Sequence, residues 1–175
     1  MKKLTLIAIA AAMMMISSFA LAQTATGTLT VSATVNGSIN LVFNSDASGV
    51  ALTGAGTNAA TLAFGNVSAY GALGAGVTRA VAANNFTVSS PFDVLVSKAN
   101  SASANYTLKA QLNAADAVNT WQVGGVAVTN AAQSTVTATG AYGSNAPFTL
   151  ALTVPFATAS GTNISNVVNF TATAN

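Results

Sequence analysis

Phe148-Thr149-Leu150-Ala151-Leu152-Thr153-Val154-Pro155-Phe156 is the stretch that decides the fold. Its large apolar residues fall on every second position. A β-strand sends alternate side chains to opposite faces, so this spacing puts Phe148, Leu150, Leu152, Val154 and Phe156 on one face. A helix would need apolar residues three and four apart, and this stretch lacks that spacing.

The same period recurs upstream. Trp121-Gln122-Val123 and Val126-Ala127-Val128 flank Gly124-Gly125, a pair suited to a two-residue hairpin turn. Tyr106, Leu108, Ala110 and Leu112 alternate with Thr107, Lys109 and Gln111. Phe92, Val94 and Val96 form another alternating set. Phe86 and Val88 begin a strand that Pro91 is expected to break. Thr61 to Phe64 reads as a short strand closed by Gly65-Asn66, and Asp46 to Asn58 as a loop. Ile39, Leu41 and Phe43 follow Asn36-Gly37, a turn dipeptide. Before it, Leu29, Val31, Ala33 and Val35 alternate with Thr28, Thr30, Ser32 and Thr34. Downstream, Ile164, Val168, Phe170 and Ala172 face one way and Ser165, Asn169 and Thr171 the other. Roughly eight to ten short strands without intervening helices predict an all-β, antiparallel sandwich. Leu41, Phe64, Phe86, Val94, Leu108, Leu150, Leu152 and Phe170 are the expected core.

The N-terminus has a different grammar. Lys2 and Lys3 precede an apolar run from Leu4 to Leu21, which ends in Ala20-Leu21-Ala22. A positive start, an apolar middle and a small-residue cleavage pattern read as a secretory signal peptide over 1–22. The run is near the lower length for spanning a bilayer, roughly 17–25 residues. The cleavage pattern and the polar Gln23, Thr24 and Thr26 favour removal over anchoring. The expectation is an exported protein of one domain, 23–175, in the periplasm, at the outer cell surface or outside the cell, with no stable membrane anchor.

The formal net charge of +2 comes from Lys2 and Lys3. Beyond residue 22, Arg79, Lys98 and Lys109 are balanced by Asp46, Asp93 and Asp116. No basic cluster is present to hold a phosphate backbone, so nucleic acid is not an expected partner. Only 5% of residues are charged, against about a quarter in ordinary domains.

Histidine and cysteine are both absent. That removes the Ser-His-Asp triad, thiol chemistry and the usual nitrogen and sulfur ligands of zinc. A carboxylate pair from Asp46, Asp93 and Asp116 is the one route left to hydrolysis, and solvated loop carboxylates are the plainer reading. Gly71-Ala72-Leu73-Gly74-Ala75-Gly76 has no strand-to-helix context and no lysine for a phosphate loop. The sequence predicts no enzyme, no metal and no cofactor. Trp121, Tyr70, Tyr106 and Tyr142 offer either core aromatics or a sugar-stacking platform. Asn36-Gly37-Ser38 and five similar triplets match the glycosylation pattern, as chance allows in a chain this rich in Asn, Ser and Thr.

Three segments together resemble a known family. They are Thr26-Gly27-Thr28-Leu29-Thr30-Val31-Ser32-Ala33-Thr34-Val35 after the signal, Thr61-Leu62-Ala63-Phe64-Gly65-Asn66, and the closing Val167-Val168-Asn169-Phe170-Thr171-Ala172-Thr173 with Pro155-Phe156 before it. Their order resembles the spore coat protein U-like domains and the chaperone–usher pilin subunits of Gram-negative bacteria. The paired cysteines common in that family are missing here. The resemblance implies an incomplete immunoglobulin-like sandwich that lacks one strand. A periplasmic chaperone would fill the groove first, at an outer-membrane usher the next subunit's N-terminal strand would replace it, and a fibre would grow. The candidate donor is 23–35, with Leu29, Val31, Ala33 and Val35 entering the groove. The alternative is that this segment is the protein's own first strand. Two functions stay open: a self-assembling structural subunit of a surface fibre or coat, and a monomeric exported module that binds carbohydrate or mediates adhesion.

Overall fold

A computed structural model of the chain describes residues 26–175. The expected signal peptide and the first residues of the candidate donor lie outside the described residues. The chain divides into two units, Met1–Thr34 and Val35–Asn175.

In the first unit, residues 26–34 form no strand and are exposed. Leu29 is 89% exposed and Val31 80%. In the second, Val35 is 73% exposed and the chain first enters a ladder at Ser38. No strand is assigned over the alternation from Thr28 to Val35. Asn36-Gly37 is not a hairpin turn either, since residues 26–37 have no assigned secondary structure. Glycine fits at 37 for another reason. A Cβ there would lie 2.8 Å from the carbonyl oxygen of Asn100.

Nine strands follow among the described residues: β1 Ser38–Ser45, β2 Thr78–Val81, β3 Asn85–Ala99, β4 Tyr106–Leu112, β5 Thr120–Val123, β6 Val126–Val128, β7 Ser134–Gly140, β8 Asn145–Pro155 and β9 Val168–Ala174. All pair antiparallel, in two sheets. The larger has the order β1-β3-β8-β5-β6, with β2 also on β3, and the smaller β7-β4-β9. Two antiparallel sheets of half-buried strands make the expected sandwich.

The core is built by period two. Phe86, Val88, Phe92, Val94 and Val96 of β3 are buried at alternate positions, as are Tyr106, Leu108, Ala110 and Leu112 of β4. Leu152 and Val154 of β8 and Trp121 and Val123 of β5 complete it. Of the eight expected core residues, Phe86, Val94, Leu108 and Leu152 are fully buried. Leu41, Phe64, Leu150 and Phe170 are partly buried against the same cluster.

The β5–β6 hairpin forms where Gly124-Gly125 placed it, pairing Trp121 with Val128 and Val123 with Val126. Gly124 and Gly125 have φ of 58° and 80°, the left-handed values that a primed two-residue turn requires.

Two expectations need correction. Thr61 to Phe64 is not a strand; Thr61 makes only an isolated bridge to Thr53. Pro91 does not break β3, which runs through it for 15 residues. The reason lies in its neighbours. On one side β3 pairs continuously with β8, Pro91 opposite Thr149. On the other side β2 ends at the Thr78–Ser89 pair and β1 begins at Ser45–Phe92. The Pro91 carbonyl faces Gly49 across that gap, where a Cβ would be 2.1 Å from it. A residue's N and C=O point the same way in a strand, so the missing N–H falls where no partner asks for it. Beside it, buried Ser90 accepts a 2.8 Å hydrogen bond from Val50 N through its Oγ, tying the 46–50 turn to β3.

Candidate functional site: an apolar groove beside the last strand

β9 occupies an edge of the smaller sheet. Among the described residues it pairs only with β4, Val168 opposite Leu112 and Ala174 opposite Tyr106, and its outer N–H and C=O groups pair with no other strand. Val168, Phe170 and Ala172 turn inward and Asn169, Thr171 and Thr173 outward, and the strand carries no charge and no proline. Natural sheets usually blunt such an edge. The opposite edge is blunted: β7 meets β4 with register shifts on both sides of Leu108, and a bulge of this kind twists an edge away from further pairing.

Next to β9 the sandwich is open. A cavity of about 850 Å³ is lined by Phe43 of β1, Phe92 of β3, Trp121 of β5, Leu150 and Leu152 of β8, and Val168 and Phe170 of β9. Its rims are the segments 60–67 and 161–167, which bring the polar Thr61, Asn66, Thr162, Asn163, Ser165 and Asn166 to its wall, so the lining is mixed around an apolar floor. No residue of β4 or β7 lines it, and the inward-turning Val168 and Phe170 do, so it opens between β9 and the larger sheet. Its floor is aromatic. The Phe170 ring packs edge-on against Phe43 at 5.2 Å and against Phe92 at 6.0 Å. On one rim Leu62 and Phe64 are half-buried without any strand pairing. A strand of apolar side chains at every second position would meet Phe43, Phe92, Leu150 and Phe170 on the floor of this groove, with the backbone edge of β9 beside it.

The far end of β9 is tied down. Asn175 donates through Nδ2 to the Ala138 carbonyl at 2.9 Å and to Asn105 Oδ1, and its Oδ1 accepts from Thr107 Oγ1 at 2.8 Å. The edge is thus held in one register against both other strands of its sheet.

The three carboxylates are spent separately. Asp46 accepts from the backbone and hydroxyl of Ser48, which lower its pKa. Asp93 accepts from Asn145 Nδ2 at 3.1 Å. Asp116 accepts from the Trp121 indole N–H at 2.8 Å, from Val118 N and from the backbone and side chain of Asn119. Partial burial works to raise the Asp116 pKa. The hydrogen bonds from Asn119, Trp121 and Val118 outweigh it and hold the group at about 2. No group of three His, Cys, Asp or Glu that could hold a metal occurs among the described residues.

The aromatic residues do not converge on one platform. Trp121 is buried, its indole fixed on Asp116. Tyr106 is buried against Tyr142, with ring centroids 5.3 Å apart. Tyr70 stands apart at 80% exposure, its ring 6.3 Å from the half-exposed Phe156. Arg79 positions it, donating to the carbonyls of Ser68 and Gly71 at 2.7 and 2.8 Å.

The groove and the free edge of β9 were not found by residue-level reading. The signal was present in the uncharged final strand, but which edge a strand occupies is a property of the whole topology. Comparisons with protein-family models, with curated proteins and with solved structures return no match.

Proposed function

We propose that this protein is an exported structural subunit that assembles by β-strand addition, the 23–35 arm of one copy pairing with β9 of another. The observation that carries the reading is the coincidence of an apolar groove with an unpaired, uncharged strand edge. The occupant is supported by the sequence of the arm. Leu29, Val31 and Val35 are exposed apolar side chains at alternate positions on a segment without a ladder. Pairing through β9 would satisfy the backbone while alternate side chains fill the groove. Because arm and groove are different surfaces of one chain, the contact is head-to-tail and extends into a fibre or coat. The finer parts of the reading, an immunoglobulin-like subunit handed on by a periplasmic chaperone to an outer-membrane usher, rest on the family resemblance.

The absence of cysteine allows a clean test. Ala33→Cys on the arm and Ala172→Cys on β9, combined in one chain, should give an oxidation-dependent ladder of multimers on a non-reducing gel. Either single variant can give at most a dimer. A double variant that yields only dimers would remove the arm-to-edge contact.

The exposed pair Tyr70 and Phe156 favours a second reading, a module that stacks on carbohydrate. Tyr70→Ala would then abolish retention on immobilised glycan and leave the oligomeric state unchanged. Under the assembly reading no glycan retention is expected.

A further inference from the structure

Asn36 is the one asparagine in the sequence followed by glycine. Sequence reading assigned the pair to a turn, and the structure gives it no such use. Both residues are exposed and lie outside any strand or turn, between the arm and β1. Glycine 37 is kept by the close approach of Asn100, and its N–H precedes the ladder that begins at Ser38. The dipeptide therefore combines a reactive side-chain amide, a following nitrogen with no side chain to hinder it, and access to water.

We infer that Asn36 is a self-modification site that converts to isoaspartate and ends the assembly competence of the arm. The chemistry needs only water. The deprotonated backbone nitrogen of Gly37 attacks Cγ of Asn36, the bond from Cγ to the side-chain nitrogen breaks, and ammonia leaves. The resulting five-membered imide takes up water. Opening at the Cγ side gives aspartate in a normal backbone. Opening at the backbone carbonyl sends the chain through the side chain and leaves a carboxylate on the former main-chain carbon. Nothing is oxidised or reduced. The rate rises with pH because the nucleophile is the amide anion.

The consequence rests on the assembly reading above. Isoaspartate lengthens the backbone by one methylene at the base of the arm and adds a negative charge next to Val35, the last of the four apolar positions. An anion carried to the mouth of an apolar groove without a partner opposes insertion, and the longer link shifts where the arm can pair. Subunits that assemble promptly escape this. Subunits that wait lose their arm.

The test incubates the processed wild-type protein and Asn36→Gln side by side at mildly alkaline pH. Isoaspartate is mapped by peptide mass spectrometry with methyltransferase labelling, and multimers are counted by size-exclusion chromatography before and after. The expected result is isoaspartate at Asn36 ahead of every other asparagine, and a loss of multimer yield in proportion to it, in wild type alone. An Asn36 that stays an amide while other asparagines convert overturns the inference. So does full assembly by protein already converted at Asn36. If fresh protein forms no multimers at all, the assembly reading falls and with it the consequence for the arm, while the peptide map still decides the chemistry.

Discussion

Tyr106 is fully buried, and among the described residues its hydroxyl has no hydrogen-bond partner. Burial, with the neighbouring Tyr142 adding to it, pushes the phenol pKa upward. Gly140 opposite makes the ring possible, since a Cβ there would sit 2.2 Å from Cζ. An unsatisfied buried hydroxyl costs stability that a phenyl ring does not. Tyr106→Phe should therefore stabilise the protein by about 1 kcal/mol, read as a higher Tm; a clear drop would mean the hydroxyl is satisfied. Asp116 makes a prediction of the opposite kind. Its folded pKa, about 2, lies below the ordinary aspartate value of 3.8. The carboxylate thus favours the folded state at neutral pH. That contribution is present above pH 4 and fades as pH falls from about 4 to about 2. Asp116→Asn should flatten this part of the stability curve, measured by urea unfolding across that window. An unchanged slope would show that the Trp121 and Asn119 contacts do not hold the anion.

Leu150 and Leu152 show how much an element's alternation says and what it omits. The pattern puts both on one face of β8, and both do face the interior. Leu152 is 4% exposed between Val88 and Trp121, whereas Leu150 is half-buried on the groove wall. Leu152→Ala should cost about 2–5 kcal/mol and Leu150→Ala distinctly less, by chemical denaturation of the monomer. Equal losses would mean the groove is filled from within the chain. Elsewhere β4, β8, β9 and the Gly124-Gly125 hairpin were legible because their pattern and turn chemistry are local. β2 and β7 were not, since Thr-Arg-Ala-Val and Ser-Thr-Val-Thr-Ala-Thr-Gly are too polar and too short to stand out. Pro91 misled because tolerance of a missing N–H depends on which strands flank it. Leu29 to Val35 shows the limit from the other side: alternation gives a segment the capacity to be a strand, and no strand is assigned to it here.

At the scale of the whole molecule, the carboxylates and cations beyond residue 22 cancel. Copies of the sandwich therefore meet without net repulsion, and a neutral surface favours association. One edge of the smaller sheet is blunted by bulges and the other lies open beside an apolar groove. The head-to-tail assembly proposed above requires that asymmetry, and no run of residues announces it. The most direct measurement is the multimer state of the chain from residue 23 onward at high concentration, wild type against Val31→Asp, by size-exclusion chromatography with a melting curve on each. A carboxylate at 31 would have to enter hydrocarbon unpaired. The account predicts a ladder of multimers for wild type, and for Val31→Asp a folded monomer that melts like the unassembled wild-type subunit. A wild-type protein that stays monomeric, with its N-terminal segment protected from proteolysis, would contradict it.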